Sequence, residues 1–243
     1  MKKILIIIPN FEVGGAERVH VNLANNWSEN FNVAFVVMQK KGPLIEILNK
    51  NIQIFNTNNK RINELIFPLV KIFKNYKPDI VVTAMWPLTS VSLISKIFSF
   101  RKFDIYFVEH CKLSGGYLND IKSNNFINKL IIRTTYRFAK KIICVSECVK
   151  KDLISIPNLS SNKFSVIFNP VYFNKQIKFN ENNYLNFFKG ARYKIIGVGT
   201  LKKQKDFKTL ILSFALLIKK IDASLVIIGD GPEKNNLINL IKK

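Results

Sequence analysis

The stretch ILIIIPNFEVGGAERVHVNLA, residues 4–24, decides the fold because it places a buried strand, a glycine loop and a helix in that order. The five apolar residues Ile4–Ile8 are typical of a strand covered on both faces of a parallel sheet. The loop ends in Gly14-Gly15, and a helical pattern begins at Ala16. A strand followed at once by a covering helix is the repeating unit of an α/β domain.

The same alternation continues to about residue 170. It predicts strands at Ile4–Ile8, Val33–Met38, Ile52–Phe55, Ile80–Thr83, Ile105–Glu109, Lys141–Val145 and Ser165–Phe168. It predicts helices at Ala16–Ser28, Arg61–Tyr76, Thr89–Phe98, Ile127–Ala139 and Glu147–Ile154. Apolar strands alternating with amphipathic helices indicate a doubly wound, Rossmann-like α/β domain.

The pattern breaks after Asn169-Pro170 and then begins again. Residues 171–192 are polar and rich in asparagine, which is typical of a linker. The second series comprises strand Tyr193–Gly199, helix Asp206–Lys220, strand Ser224–Ile228 and helix Glu233–Lys242. We therefore predict an N-terminal domain over 1–170, a linker over 171–192, and over 193–243 the beginning of a second Rossmann-like domain. Two strands and two helices are marginal as an independent domain, so we expect this one to be incomplete.

The composition is strongly basic. The chain of 243 residues has 38 Lys and Arg against 16 Asp and Glu, a formal charge of +22. Such a field favours anionic partners, although a lysine-rich composition alone explains it equally well. The sequence has no RNP motif or zinc-finger spacing, so we expect no nucleic-acid partner.

Cysteines and apolar runs bear on location and on metals. Cys111, Cys144 and Cys148 form no CxxC motif, and the two histidines are far apart, so no metal site is expected. The apolar run of MKKILIIIP is too short for a signal peptide, and no segment approaches the length of a membrane span. A reducing cytoplasm fits these features best.

Two candidate site motifs lie in the N-terminal domain. Gly14 and Gly15 open a helix whose free N–H groups favour an anion, unless the loop merely turns the chain. A dinucleotide is disfavoured because the spacing is not GxGxxG and the second strand ends in VMQKK, without an acidic residue. In FVEHCKLSGGY, residues 107–117, His110 follows a strand at the edge where ligands bind, although a structural histidine is the alternative.

A third motif is VGTLKKQKDFKTL, residues 198–210, in the second α/β series. A strand ends in Gly199-Thr200, and Lys202, Lys203 and Lys205 precede a helix. A pyrophosphate there could meet backbone N–H groups, a helix N-terminus and an ammonium group together. A solvated lysine-rich loop is the alternative.

A basic stripe follows the helix predicted near residue 130. The spacing of three and four residues places the stripe on one helix face, opposite an apolar face. The stripe comprises Lys129, Arg133, Arg137, Lys140 and Lys141, and the apolar face comprises Ile127, Leu130, Ile131, Thr134 and Phe138. Such a helix either docks on an anionic membrane or simply covers a sheet with its charges in water.

These segments together resemble the family 4 glycosyltransferases of the GT-B fold, from about Met1 to Lys243. The segments that resemble the family are GGAERVHVNLAN, YKPDIVVTAMWPLTSVSLIS, FVEHCKLS, KKIICVSECVKKDL, VIFNPV, IGVGTLKKQKDFKTLILSFALL and LVIIGDGPEKNNL. Each segment is only moderately specific, whereas their order and spacing are highly specific.

The resemblance implies a retaining glycosyltransferase that moves a sugar from a nucleotide diphospho-sugar to a glycan or lipid-linked acceptor. Its setting would be the biosynthesis of a cell-surface polysaccharide such as lipopolysaccharide or capsule. The enzyme would work in the cytoplasm, peripherally on the inner face of the membrane, with an anionic membrane surface as a partner. It would need no metal or other cofactor.

The resemblance also implies residue roles. His110 would approach the donor sugar and Lys205 would bind the phosphates, and these two are the expected catalytic residues. Gly14 and Gly15 would face the diphosphate, and Asn169 would lie at the hinge beside the donor. Thr200 stands where the family usually has an arginine, so it could bind a phosphate without neutralising it.

One departure from the family concerns the C-terminal end. The family's pair of glutamates and its base-binding loops would follow Lys243, so we expect the chain as written to lack transferase activity. The alternative function is that of an inactive remnant that binds membrane or nucleotide without transfer.

Overall fold

A computed structural model describes residues 1–114, 125–155, 159–170, 186–188 and 190–242. The chain divides into two compact units, Met1–Tyr172 and Phe173–Lys243. Most of the stretch 171–192, which the sequence predicts as a linker, lies outside the described residues.

The described residues of the first unit form a sheet of seven parallel strands. They are β1 Lys3–Ile8, β2 Asn32–Val37, β3 Gln53–Asn56, β4 Ile80–Ala84, β5 Asp104–Glu109, β6 Lys141–Cys144 and β7 Phe164–Val166. Their order in the sheet is β3-β2-β1-β4-β5-β6-β7. Every neighbouring pair is parallel, as uniformly apolar strands joined through helices require. The chain thus builds outward from β1 in both directions.

In the described part of the first unit, five helices cover the sheet. They are α1 Gly15–Trp27, α2 Ile66–Tyr76, α3 Leu88–Ser99, α4 Asn125–Tyr136 and α5 Glu147–Ser155. Residues of α2, α3, α4 and α5 share one buried cluster with alternate residues of the strands, and residues of α1 share the cluster on the other face. Helices on both faces confirm the doubly wound α/β fold expected from the sequence.

The second unit, in its described part, has two parallel strands and two helices. They are β8 Tyr193–Val198, α6 Phe207–Leu217, β9 Ala223–Ile228 and α7 Lys234–Ile241. Its buried core is small, with Leu201, Phe207, Ile211 and Leu237 at the centre. Within the described residues of the whole chain, no helix is both long and apolar enough to cross a lipid bilayer.

Two helices differ from their predicted course. The segment predicted as one helix from Arg61 begins as a 3₁₀ turn, Ile62–Leu65, before α2. Helix α4 ends at Tyr136, so Arg137, Lys140 and Lys141 of the basic stripe lie beyond it, and the prediction of five cations on one helix face is wrong.

The apolar face predicted for α4 is also wrong. Ile127, Leu130 and Phe138 are 52%, 49% and 64% exposed, whereas Asn128, Ile132, Thr135 and Tyr136 are buried. The reason is that α4 packs a partly polar face inward: Thr135 and Tyr136 hydrogen bond to serine and threonine side chains of α3.

Candidate functional site

The sheet of the first unit has one switch point, at the carboxyl ends of β1 and β4. The chain winds away from β1 to β2 and β3 on one side and to β4–β7 on the other. In open α/β sheets the loops diverge at this point and leave a crevice for ligands. Here the crevice edge is formed by the glycine loop after β1, the turn at Met85-Trp86 after β4 and His110 after β5.

The loop after β2 packs against the glycine loop and hydrogen bonds to it. Phe11 donates its N–H to the carbonyl oxygen of Lys41 at 2.8 Å, and Leu44 donates to that of Phe11 at 3.1 Å. Gly42 has φ +114°, and a side chain there would collide with the backbone of Phe11 and Glu12. Sequence reasoning missed Gly42, although its place before Pro43 marks a turn.

Gly14 and Gly15 differ in their surroundings. Gly14 is the N-cap of α1 in an extended conformation, and it makes no side-chain cap. The carboxylate of Glu17 lies against Gly14, whereas no atom outside its chain neighbours and its own helix backbone would lie within 4 Å of a Cβ at Gly15. The accessible side of the helix N-terminus is therefore at the exposed Gly15. The first-turn N–H groups and the helix dipole favour an anion there, although the carboxylate of Glu17 beside Gly14 opposes one.

The turn after β4 is held by a buried carboxyl group. Glu109 is fully buried; its Oε2 accepts the N–H of Trp86 at 3.3 Å, and its Oε1 accepts the hydroxyl of Tyr136 in α4. Burial raises the pKa of Glu109 to about 7, against the opposing effect of these hydrogen bonds. Glu109 therefore ties β5 to the crevice turn and to α4.

His110 points to the other face of the sheet, since consecutive strand residues alternate. Its ring lies edge to face with the ring of His20 from α1, with 5.4 Å between centroids. Burial, and to a lesser extent the charge that His20 can carry, lower the pKa of His110 to about 4. At neutral pH His110 is therefore uncharged and suited to hydrogen bonding with a neutral group.

His20 was missed by sequence reasoning. It is fully buried, and its Nδ1 lies 2.8 Å from the carbonyl oxygen of Ala16. In the sequence, its only distinguishing feature is its position on the helix that follows the glycine loop, four residues after Ala16. Without the knowledge that α1 packs beside the end of β5, that position predicts nothing about His110.

Asn169 lies at an apolar groove rather than at the glycine loop. The groove has a volume of about 410 Å³ and is lined mainly by apolar side chains of α1 and of the sheet, including Leu23 and Trp27. Asn169 and Pro170 line one side, and His20 lines another. The structure thus places Asn169 on the same face of the sheet as His20.

In the second unit, the loop after β8 is joined to the loop after β9. Leu201 donates its N–H to the carbonyl oxygen of Asp230 at 2.9 Å, and Gly199 donates to that of Ile228 at 3.0 Å. A side chain at Gly229 would collide with the carbonyl group of Gly199. These contacts use the N–H groups of Gly199 and Leu201, so an anion here would depend more on side chains.

Lys205 lies in a 3₁₀ turn, Lys203–Lys205, that leads into α6. Its side chain passes beside Gly199, because a Cβ at Gly199 would lie 4.0 Å from Cδ of Lys205. Asp206, in a left-handed conformation, caps α6 by accepting the N–H of Thr209 at 3.3 Å. The aspartate opposes an anion at that helix end, so the lysine side chain and the exposed Thr200 are the better phosphate ligands.

Among the residues that the structure describes, no group of three or more His, Cys, Asp or Glu side chains could hold a metal ion. The three cysteines are free thiols. That the reaction needs no metal stays a prediction.

Comparison with known proteins identifies the family. The chain matches two family models, Glycosyltransferase Family 4 over residues 13–174 and Glycosyl transferases group 1 over residues 180–243. It is 31% identical over 219 residues to an uncharacterized glycosyltransferase, MJ1059, of Methanocaldococcus jannaschii, covering 82% of this chain and 52% of that protein.

A second relative is the N-acetylgalactosamine-N,N'-diacetylbacillosaminyl-diphospho-undecaprenol 4-alpha-N-acetylgalactosaminyltransferase of Campylobacter jejuni. It is 27% identical over 255 residues, which cover 100% of this chain and 67% of that protein. The chain thus spans about half to two thirds of the length of these relatives.

Among solved structures, HepE of Anabaena in complex with UDP-glucose superposes with a TM-score of 0.73 at 18% identity. The match covers 100% of this chain and 66% of HepE, and it confirms the fold class. The family resemblance read from the sequence is likewise confirmed. The chain belongs to glycosyltransferase family 4 and has the GT-B fold.

Proposed function

We propose that this protein transfers a sugar from a nucleotide diphospho-sugar to a hydroxyl group of a glycan or lipid-linked acceptor, with retention at the anomeric carbon. The observation that supports it best lies at the switch point of the first unit. There an uncapped helix N-terminus opens at Gly15, and the uncharged His110 ends a strand on the same edge of the sheet. An anion site beside a neutral hydrogen-bonding group suits a diphosphate joined to a sugar.

The chemistry of the transfer explains the residue types. Breaking the bond between sugar and phosphate places negative charge on the departing diphosphate, so fixed positive groups lower the barrier. In the first unit, helix α1 offers partial charge through its N–H groups. In the second unit, taken by itself, Lys205 offers a full charge from an exposed turn. Thr200 contributes a hydroxyl donor but no charge.

Two relatives support the substrate classes. The Campylobacter jejuni relative is named as a transferase acting on a diphospho-undecaprenol-linked sugar, and the HepE structure contains UDP-glucose. From these we infer a nucleotide-sugar donor and an acceptor that is a glycan or a lipid-linked glycan. A role in building a cell-surface polysaccharide follows from such an acceptor.

We also propose that the first unit docks on an anionic membrane, as a lipid-linked acceptor requires. The exposed side of α4 mixes apolar Ile127 and Leu130 with Lys129 and Arg133. Close to the end of α4, Phe138 lines a shallow groove with Ile97, Phe100 and the cations Lys96, Arg101 and Lys102. Exposed apolar side chains among cations are typical of a surface that enters lipid headgroups.

A transfer assay tests the function. The chain is incubated with UDP-glucose or UDP-N-acetylgalactosamine and a short-chain polyprenyl-diphosphate sugar, and the products are followed by mass spectrometry and by NMR of the anomeric proton. Formation of an α-linked product would support the proposal, because these donors are themselves α-linked. A β-linked product would contradict retention.

The second candidate is that the chain binds a nucleotide sugar without transferring the sugar, which the accessible helix N-terminus at Gly15 allows by itself. Titration calorimetry with UDP and UDP-glucose separates the two. Binding with no product under any of the assay conditions would assign the chain to this second class, and the absence of both would contradict the proposed donor.

A further inference from the structure

His20 and His110 form a buried pair of rings whose nitrogens are largely unpartnered. Nε2 of His20 and both ring nitrogens of His110 are buried and have no hydrogen-bond partner among the described residues. A buried polar atom without a hydrogen-bond partner lowers the stability of the fold by about 1–3 kcal/mol. Three such atoms in one pair of rings therefore call for an explanation.

The tautomer of His20 follows from its one hydrogen bond. The carbonyl oxygen of Ala16 can only accept, so Nδ1 of His20, 2.8 Å away, must donate. Burial lowers the pKa of His20, which keeps the ring neutral. In a neutral ring with a proton on Nδ1, Nε2 has only a lone pair. His20 therefore presents an acceptor, never a donor, from inside the core.

The two rings are close enough for that acceptor to be used. Their centroids are 5.4 Å apart with an interplanar angle of 64°. At this separation a hydrogen bond between the rings requires the His110 ring to rotate about its bond to Cβ, so that one of its nitrogens approaches Nε2 of His20. If that nitrogen carries the proton, the second nitrogen of the neutral ring has to be an acceptor.

We infer that His20 is a positioning residue for His110: after the His110 ring rotates, Nε2 of His20 accepts its ring N–H and so fixes its tautomer. Both nitrogens of His110 are buried before that rotation, so the rotation also has to expose the second nitrogen, which then accepts a hydrogen bond from a sugar hydroxyl. The identity of that hydroxyl rests on the proposed function, whereas the coupling of the two rings does not. A hydroxyl donor is the natural partner for such an acceptor.

Other titratable groups near this edge do not replace His20. Glu109 precedes His110, but its carboxyl group is held on the opposite face by Tyr136 and Trp86. Cys111 follows His110, and its thiol has a pKa raised mainly by burial, with smaller effects of Glu109 and of Glu17 from α1. Among the described residues, His20 is the group in ring contact with His110.

The test is favoured by the composition, because the chain has only two histidines. Nitrogen-15 NMR of the imidazole rings reports the protonation of each nitrogen without any ligand. In the wild type we expect two neutral rings at neutral pH, with His20 protonated on Nδ1 and His110 in a single tautomer. A mixture of tautomers at His110, or ordinary titration near pH 6.5, would overturn the inference.

Two variants separate coupling from packing. His20→Asn keeps an amide near Nδ1 but loses the acceptor at Nε2, so His110 should become a mixture of tautomers. His20→Gln places an amide oxygen near Nε2, so the single tautomer should be retained. Retention in both variants would contradict the inference.

Val21→Ala is the matched control. Val21 is fully buried in the same helix as His20, but it belongs to the apolar cluster between α1 and the sheet. It should lower stability and leave the His110 spectrum unchanged. The same change as in His20→Asn would mean that general loosening of α1 is the cause, and the inference would fail. Adding UDP-glucose to the wild type then tests the proposed function separately. If the two rings are coupled but their spectrum does not change with UDP-glucose, the result contradicts UDP-glucose as the donor and leaves the coupling intact.

Discussion

The hydroxyl group of Tyr136 donates a hydrogen bond to Oε1 of Glu109, and both side chains are fully buried. The other carboxyl oxygen of Glu109 accepts the N–H of Trp86. One carboxyl group thus joins three elements at the carboxyl edge of the sheet: strand β5, the turn after β4 and helix α4. This link holds the crevice turn against the core.

The first prediction concerns stability against pH. The pKa of Glu109 is raised to about 7 in the folded protein from 4.5, so its contribution is full below pH 4.5 and is lost as the pH rises to 7. At about 1.4 kcal/mol per pH unit, the free energy of unfolding should fall by roughly 3 kcal/mol across this window. In Glu109→Gln that fall should be absent, as measured by urea unfolding at several pH values.

Tyr136→Phe is the companion variant for the same link. It removes a donor that stabilises the carboxylate, so the pKa of Glu109 should rise further, and the fall in stability should still begin near pH 4.5 but extend to higher pH and become larger. A difference between wild type and Glu109→Gln that does not vary with pH would show that Glu109 keeps an ordinary pKa.

Gly42→Ala should destabilise the first unit by about 2 kcal/mol or more. The positive φ of Gly42 strains any other residue, and the new Cβ would meet the backbone of Phe11, which cannot move as a flexible side chain does. Gly15→Ala, at the start of α1 in the same unit, is the control, since its Cβ would meet no atom within 4 Å outside its chain neighbours and its own helix backbone. Chemical unfolding should separate the two; equal stabilities would contradict the packing of Gly42 under the loop.

Gly15 also offers a binding test that folding does not obscure. A larger side chain, as in Gly15→Val, meets no protein atom near its Cβ but stands where a diphosphate would approach the helix N-terminus. We expect UDP affinity to fall about 10-fold by calorimetry, with the melting temperature almost unchanged. Unaltered affinity would place the diphosphate elsewhere.

The sequence predicted the strands well and the buried helix faces less well. Each described strand lies within two residues of its predicted bounds, because a strand buried on both faces must be apolar throughout. The inward face of α4 was mispredicted because Thr135 and Tyr136 are polar residues that meet polar partners in the core. Hydrophobic periodicity takes the apolar side of a helix as the buried one, so it placed Leu130 inside.

The residues of the candidate site also differ in how far the sequence predicts them. Gly14, Gly15 and His110 could be found because each directly follows a strand. Gly42 and His20 could not be assigned a role, because that role depends on a neighbour far away in sequence: Phe11 for Gly42 and His110 for His20. Only the sheet order brings these pairs together.

Lys205→Gln should weaken UDP binding about 10- to 100-fold, since a charge-assisted hydrogen bond to phosphate is worth about 1.5–3 kcal/mol. Thr200→Ala should have a smaller effect because its hydroxyl carries no charge. Lys220→Gln, which removes the same charge beyond the far end of α6, is the matched control and should leave binding almost unchanged. If both lysine variants weaken UDP binding equally, the cause is the change in net charge and not a contact made by Lys205.

The last prediction concerns the exposed side of α4. The chain should bind vesicles of phosphatidylcholine with one third phosphatidylglycerol, and salt should weaken that binding. Ile127→Ser/Leu130→Ser should lower it by loss of apolar contact, and Lys129→Gln/Arg133→Gln by loss of charge. Phe67→Ser, at an apolar residue of α2 that is 83% exposed, and Lys219→Gln/Lys220→Gln are the matched controls. Flotation in a density gradient measures the bound fraction; if the controls release the chain as strongly as the α4 variants do, this surface is not where the membrane binds.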